Sequence, residues 1–484
     1  MRQSGAQAED DTMSGSLNSI MSTATSGMRA SQLGIAVLSD NIANADVAGY
    51  TTKRLDLSTF EVNGVRTGPV SRSVDEALQT SIWTSTSRVG ALTARSQLLQ
   101  AVNATQGTPG DGTSIASAVS ALQSKFTLLQ AQPSGATLQS SVVAAADTLA
   151  GSINRTAATI IHERNGVQDQ IVSAVETLNA ALDTVRITTR DIVKTNGDGG
   201  DTANLEDKRD VALQSMSDTL DLHFDKQANG DITILGRNGF SLPLDGRFST
   251  DHSILSPASS YTPASTSVPA ILLLSSNPAI PPADVTGQLS GGRLGELVQL
   301  RDVTLPSYTT SLDALSAKIA NKFTSSGLQL FTDGVGTGTL SAYPGLSGRF
   351  QVNPAILANP SLVRDGTSPS SFPINPPNGP SGFSDLIGRV LTSTFAGNFG
   401  SSSLAADAQS FVAQQSTAAS QATEELSGAK SYQSTLVSRF SNGSSVNVDH
   451  EMATMIQLQN SYQANARMIQ TTQALFTALL DATR

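Results

Sequence analysis

Two stretches of this chain set oxygen-bearing side chains around glycine, the arrangement by which proteins hold calcium. The first, Asp225-Lys-Gln-Ala-Asn229-Gly230-Asp231-Ile232, begins like an EF-hand loop. Such a loop ends in a glutamate that binds through both oxygens, and that position here is Gly236. Asn-Gly between alternating residues instead predicts a hairpin turn. The second stretch, Asn196 to Asp201 (NGDGGD), has carboxylates but no glutamate in register, and reads as a solvated loop. His162-Glu163 lacks the second histidine of a zinc-binding helix, and His223, His252 and His450 are scattered. A phosphate loop needs a Gly-Lys step before a helix, and DGVGTGTL (333–340) has no lysine. No serine sits in a G-x-S-x-G elbow, and there is no cysteine for thiolate chemistry. The sequence therefore assigns no catalytic residue, no cofactor and no metal ligand.

Composition narrows the field further. The 484 residues suggest roughly three domains. A formal net charge of -10 argues against a nucleic-acid binder, which concentrates Lys and Arg to displace counterions. The start, MRQSGAQAEDDT, lacks the basic-then-apolar layout of a cleavable signal. The most apolar run, Ala270 to Leu274, falls far short of the roughly 20 residues that cross a bilayer, so no membrane span is expected. Met13 is a second plausible start, and residues 1–16 are expected to be a disordered extension.

The elements that stand out are the two ends. Leu17, Met21, Ala24, Met28, Ser31, Ile35, Leu38 and Ile42 fall at alternating spacings of four and three, the period of a packed helical seam. Val448, Met452, Met455, Gln459, Tyr462, Ala466, Ile469, Gln473, Phe476 and Leu480 repeat it, with Asn447 placed to cap the helix. Between Leu17 and Ser39 the only charged residue is Arg29, and between Met452 and Leu480 the only one is Arg467. A helix with one face in water normally carries Lys and Glu there. Outer faces of Ser, Thr, Asn and Gln predict contact with further helices in an assembly. Fixing backbone costs roughly 1–2 kcal/mol per residue, whereas burying a large apolar side chain stabilises by about 1.5–3 kcal/mol. A two-helix pair with Ala24, Ser31, Gln459 and Gln473 in its seam is thus marginal, and the ends are expected to order on polymerisation.

Inside the ends, Ser85 to Leu222 has helical spacing, as in Ile171, Val175, Leu178, Leu182 and Val185, broken by turn clusters at 107–112 and 196–201. Leu404 to Phe440 answers it late in the chain. The expected fold is mainly α with a β-rich insertion. Long terminal helices pair as a coiled coil around a nested helical-bundle domain, which carries central variable β domains. The expected divisions are a terminal helix and its following motif (17–55), a first helical part (56–222), a β-rich domain (223–290), a helical segment (291–330), a Gly/Pro/Ser-rich variable region (331–399), a returning helical part (400–446) and a C-terminal helix (447–484).

After the first helix the chain reads NIANADVAGYTTKR (41–54), a helix end, tight turn and strand. In this order and position it resembles the motif of the flagellar rod, hook and hook-associated protein family. Asn41, Ile42, Ala43, Asn44, Gly49 and Tyr50 fit, while Asp46-Val47-Ala48 replaces a commoner turn with proline. NVDHEMATMIQLQNSYQANARMIQTTQALFTALL (447–480) is similar to the family's terminal helix, above all at Asp449, Glu451, Met452 and Tyr462-Gln463-Ala464-Asn465-Ala466-Arg467. His450 stands where an acidic residue is common. The helical tract after the first motif resembles the hook-associated members rather than hook and rod subunits, which pass directly into β-rich domains. GGRLGELVQLRD (291–302), LEDKRD (205–210) and FQVNPAILANPSLV (350–363) also resemble internal segments of those members.

The resemblance implies a non-enzymatic structural subunit at the hook–filament junction, secreted unfolded through the flagellar type III export pathway. It implies as partners copies of itself, the hook protein, the next junction protein (hook-associated protein 3) and an export chaperone at Met452 to Leu480. The assembly seam would run through Leu17, Met21, Met28, Ile35, Leu38 and Ile42 and through Met452, Met455, Tyr462, Ile469, Phe476 and Leu480. A hook or rod subunit is the alternative within the family. A secreted protein with an enzymatic or adhesive central domain is the alternative outside it.

Overall fold

The computed structural model describes the backbone of residues 3–59, 64–105, 114–262, 267–335, 339–367, 374–376, 379–396 and 402–482, with side chains from 16 to 481. The turn cluster at 107–112 lies outside the described residues. Helix α1 (Gln3–Ala43) begins well before Leu17. The segment expected to be a disordered extension is helical here, and no proline interrupts it.

After α1 the chain makes a tight turn, with Val47 N–H bonded to Asn44 O (2.9 Å) and Tyr50 N–H to Val47 O (3.1 Å). It then forms the antiparallel hairpin β1 (Lys53–Thr59) and β2 (Val65–Arg72), bulged between Leu55 and Leu57. The helical part thus opens at α2 (Glu76–Ala104) rather than at residue 56, started by the Asp75 carboxylate accepting Leu78 N–H at 3.0 Å. Next come α3 (Ile115–Ala131), α4 (Ala136–Gly197) and α5 (Ala203–Thr219). The 62-residue α4 is the spine, burying Ile171, Val175, Leu178, Leu182 and Val185 along one stripe.

Two small antiparallel sheets follow, β3 (Leu222–Lys226), β4 (Ile232–Gly236) and β5 (Ser241–Leu242), then β6 (Arg247–Ser249), β7 (Leu272–Leu274) and β8 (Ala283–Asp284). The calcium-like stretch is the β3–β4 hairpin. Gly230 takes φ +93, and Asn229 spends its side-chain oxygen on Asp231 N–H at 3.0 Å. Helix α6 (Gly292–Gln299) runs through a π-helical turn (Leu300–Thr304) into α7 (Leu305–Ser325).

The Gly/Pro/Ser-rich region, expected only to be variable, packs into the helical core as short pieces: β9 (Phe331–Thr332) paired with β10 (Gln351–Val352), then α8 (Pro354–Ala358), α9 (Leu362–Asp365) and α10 (Asp385–Arg389). Phe395 is buried against Phe126 of α3 and Phe323 of α7, Phe331 against Phe323, and Phe350 stacks on Phe331, with neighbouring ring centroids 4.8 to 5.9 Å apart. Each ring stabilises by about 1.5–3 kcal/mol through burial alone, which a loop of average polarity does not offer.

Two buried arginines tie the segment between β6 and β7 to the spine. Arg301 is fully inaccessible; it donates to both Asp302 oxygens at 2.7 Å, to Gln168 Oε1 at 2.7 Å and to Pro269 O at 3.0 Å. Arg164 donates to the carbonyls of Arg301 (2.8 Å), Ser256 (3.2 Å) and Ser259 (2.8 Å). Helix α11 (Leu404–Ser444) then returns antiparallel along α2, with Gln433 bonded to Thr86 and Thr423 to Gln100. Three residues later α12 (Val448–Ala482) begins, capped by Asn447 Oδ1 accepting His450 N–H at 3.1 Å.

Candidate functional site: the paired terminal helices and their anchor

Helices α1 and α12 lie antiparallel, as Gly27 faces Asn465, Gly34 faces Leu458 and Asn41 faces Glu451. Glycine sets how close they come. A β-carbon at Gly34 would stand 2.6 Å from Leu458 Cδ1, and one at Gly27 2.8 Å from Asn465 Nδ2. Among the described residues, the buried positions of α1 are Ala24, Ala30, Ser31, Gly34 and Asn41. On α12, Glu451 and Thr472 are buried, with Met455, Leu458, Tyr462, Asn465, Ile469, Phe476 and Leu479 half-buried.

Each helix therefore uses one of the two rows expected from hydrophobic spacing and replaces the other. On α1 the row through Ala24, Ser31 and Leu38 faces α12, but its companion is Gly27, Gly34 and Asn41. Met21, Met28, Ile35 and Ile42 flank the contact, half-buried like Leu17 and Leu38. On α12 Met455, Tyr462, Ile469 and Phe476 face inward, and their companions are Leu458, Asn465, Thr472 and Leu479. Met452 and Leu480, expected in the seam, are 48% and 62% exposed. Close backbone approach decided the face, because small residues let one helix sink into the other where methionine and isoleucine would hold it off. The seven-residue spacing of Gly27, Gly34 and Asn41 was the signal in the sequence. Outside this contact α12 leaves Ile456, Met468 and Leu475 at 56%, 45% and 58% exposure.

Below the pair lies a buried polar node. Asn41 Oδ1 accepts from Lys53 N–H (3.0 Å) and Tyr50 Oη (2.9 Å), while its Nδ2 donates to Lys53 O (2.9 Å) and Glu451 Oε2 (3.1 Å). One amide side chain thus ties α1, the turn, β1 and α12 together. Asn44 closes the end of α1, donating to Asp40 O at 2.8 Å. Gly49 takes φ +82 where a β-carbon would stand 2.3 Å from Val211 of α5, so only glycine seats the turn on the helical domain. Of the remaining motif residues, Gln463 and Arg467 face outward.

The node continues into α5. Lys53 Nζ contacts Asp207 at 3.2 Å and hydrogen-bonds Asn204, with its ammonium 3.6 Å from the Tyr50 ring centroid. Arg72 spreads its guanidinium over Glu206 (3.2 Å), Asp207 (2.9 Å) and Asp210 (2.6 Å). Asp210 is shared with Lys226 (3.1 Å) and Gln79 (2.9 Å), and Lys226 lies 5.3 Å from the ring of Trp83, the only tryptophan. Glu206, Asp207 and Asp210 lie in LEDKRD (205–210), whose chemistry as a counter-charge site was not legible until β2 delivered Arg72.

Burial raises the Tyr50 phenol pKa, and Asp40, Asp207, Glu451 and Asp201 add to it, so Tyr50 stays a donor. Burial pulls Arg72 down, but Asp210, Asp207 and Glu206 more than offset this and hold it charged. Burial likewise pushes the Asp210 carboxyl up, yet Arg72, Lys226 and the hydrogen bond from Gln79 bring it below the usual range. A carboxylate depressed in the folded state contributes stability above its unfolded pKa of about 3.9 and loses it as pH falls through the folded value. Trp83 emission is accordingly expected to be flat from pH 7 to about 5 and to change only below about pH 4.

Three family profiles match the chain. "Flagella basal body rod protein" covers residues 21–51, "Flagellar hook-associated protein FlgK helical domain" covers 98–335, and "Flagellar basal body rod FlgEFG protein C-terminal" covers 437–482. Flagellar hook-associated protein 1 of Escherichia coli (strain K12) is 25% identical over 325 residues, 63% of this chain and 56% of that protein. The protein of that name from Salmonella typhimurium is 25% identical over 321 residues, with the same coverage. The chain thus spans about half the length of the curated relatives it matches. A solved structure, the flagellar hook junction protein FlgK from Burkholderia pseudomallei, superposes with TM-score 0.44 at 20% identity over 52% of this chain and 46% of its own. The rod-type profiles fall on α1 with its turn and on α12, and the helical-domain profile falls on the bundle that anchors them. Over these three segments the chain is similar to the flagellar rod and hook-associated proteins, with its bundle matching the helical domain of the hook-associated protein FlgK.

Proposed function

We propose that this chain is a structural, non-enzymatic subunit of the bacterial flagellum at the hook–filament junction, and that its paired terminal helices join those of neighbouring copies to form the inner wall of a tube. The observation that carries this is the surface of α12. Its inner side is matched to α1, while Met452, Ile456, Met468 and Leu475 project outward from a helix with a single charge between Met452 and Leu480. An apolar surface of that kind on a nearly uncharged helix fits further helices better than water.

The partners that follow are copies of itself, the hook protein below and the second junction protein, hook-associated protein 3, above. The route is type III export, with a chaperone covering Met452 to Leu480 in the cytoplasm and the mature protein outside the cell. A hook or rod subunit is the rival within the family, and the helices of α2 to α5 favour the hook-associated branch. The test is a strain lacking this protein. It is expected to build hooks, carry no filaments and shed filament subunits into the medium. Filaments of normal length would contradict the proposal, and absent hooks would move the chain to the rival position.

A further inference from the structure

The salt-bridged node is asymmetric in a way that simple packing does not require. All three carboxylates stand on α5, at Glu206, Asp207 and Asp210, and two of the three cations they meet, Lys53 and Arg72, come from the β1–β2 hairpin. The two aspartates differ in what they keep if the hairpin lifts. Asp210 would retain Lys226 and Gln79 from the domain side. Among the described residues every side-chain partner of Asp207 belongs to residues 51–72: Thr51 N–H at 3.3 Å, Thr51 Oγ1 at 2.6 Å, Lys53 Nζ at 3.2 Å and Arg72 Nε at 2.9 Å.

The hairpin in turn carries both terminal helices. Lys53 is bonded through its backbone to Asn41 of α1, which holds Glu451 of α12. Thr52 N–H donates to Ser444 O at 2.8 Å, and Ser73 Oγ to Gly443 O at 3.2 Å, at the break between α11 and α12. Lifting the hairpin frees the ends and leaves like charges four or fewer residues apart on one helix, an arrangement that destabilises itself until the carboxylates hydrate.

The geometry points to Asp207 as the catch of an intramolecular latch. It holds the hairpin's two cations, and so decides whether the terminal helices are seated on the helical domain or swing free of it. Asp210 passes the seating on through Lys226 to the Trp83 ring. This device does not depend on where in the flagellum the chain sits.

The test uses the full-length chain and hydrogen exchange read by mass spectrometry, comparing residues 51–72 with the α4 spine. Asp207→Asn keeps the size of the side chain and removes its charge. It is expected to speed exchange across 51–72 roughly tenfold and to shift Trp83 emission, while Ile171 to Val185 stays within about twofold. Lys53→Met removes the partner from the hairpin side and is expected to give the same release, so a defect confined to α5 cannot mimic the result. The charge exchange Asp207→Lys with Lys53→Asp is expected to recover part of the protection that Asp207→Lys alone loses. Unchanged exchange at 51–72 in Asp207→Asn would overturn the latch. So would loss of protection spreading equally into α4, since Asp207 would then be one more support of the domain core.

Discussion

Ile456→Asp combined with Leu475→Asp is expected to abolish assembly and motility while leaving the melting curve of the monomer in place. Both side chains are more than half exposed, so placing carboxylates there removes little packing, and surface changes of this kind usually shift stability by less than about 0.5 kcal/mol. In an interface between helices the same carboxylates would be buried without cations, since the only charged side chain between Met452 and Leu480 is Arg467. An unpaired buried charge costs several kcal/mol, roughly, enough to forbid a contact repeated in every copy. The expected readings are unchanged circular dichroism on heating, no polymer by sedimentation and no swimming. Ile469→Asp and Met455→Asp lie on the inner row, and Gly34→Leu drives a side chain into Leu458. These should break the α1–α12 pair within one chain, at about 1–3 kcal/mol for the overpacked glycine. Gly34→Ala is expected to be mild, because the atom it meets is the mobile end of Leu458.

The second large effect is expected at Arg301. Arg301→Ala removes four hydrogen bonds in a fully buried position and strands Asp302 and Gln168 beneath the segment between β6 and β7. Breaking a buried ion pair by removing one partner costs about 3–5 kcal/mol, comparable to much of the stability of an ordinary domain. Urea unfolding followed at Trp83 should show the midpoint falling steeply. Arg88→Ala, at an exposed position of α2, serves as the control and should leave it unchanged. Arg301→Lys should recover little, because a single ammonium cannot meet both Asp302 oxygens and Gln168 at once.

Much of this was legible in the residues. The stripe from Ile171 to Val185 announced α4, Asn447 announced the start of α12, and Asn229-Gly230 announced a hairpin in place of a calcium loop. What misled was ranking seam positions by hydrophobicity. Met21, Met28, Ile35 and Met452 look like knobs, but Gly27 and Gly34 open a trough, and a helix falls into the trough. The packing of the region from Phe331 to Phe395 was silent for a different reason. Its glycines, prolines and serines read only as a variable region, and three widely spaced phenylalanines find one another only in three dimensions. The anchor was invisible as chemistry for the same cause. Nothing local says that Asp207 awaits Lys53 and Arg72, more than a hundred residues away.

The most direct test exploits the absence of native cysteine. A single Leu475→Cys can be labelled with a maleimide in the free monomer and in purified hook–filament complexes. If the outer side of α12 is buried between copies, labelling should be fast in the monomer and at least about tenfold slower in the complex, as expected for a side chain moved from water into a packed interface. Equal rates in both would place this side of α12 in water in the assembled flagellum and contradict the proposed inner wall.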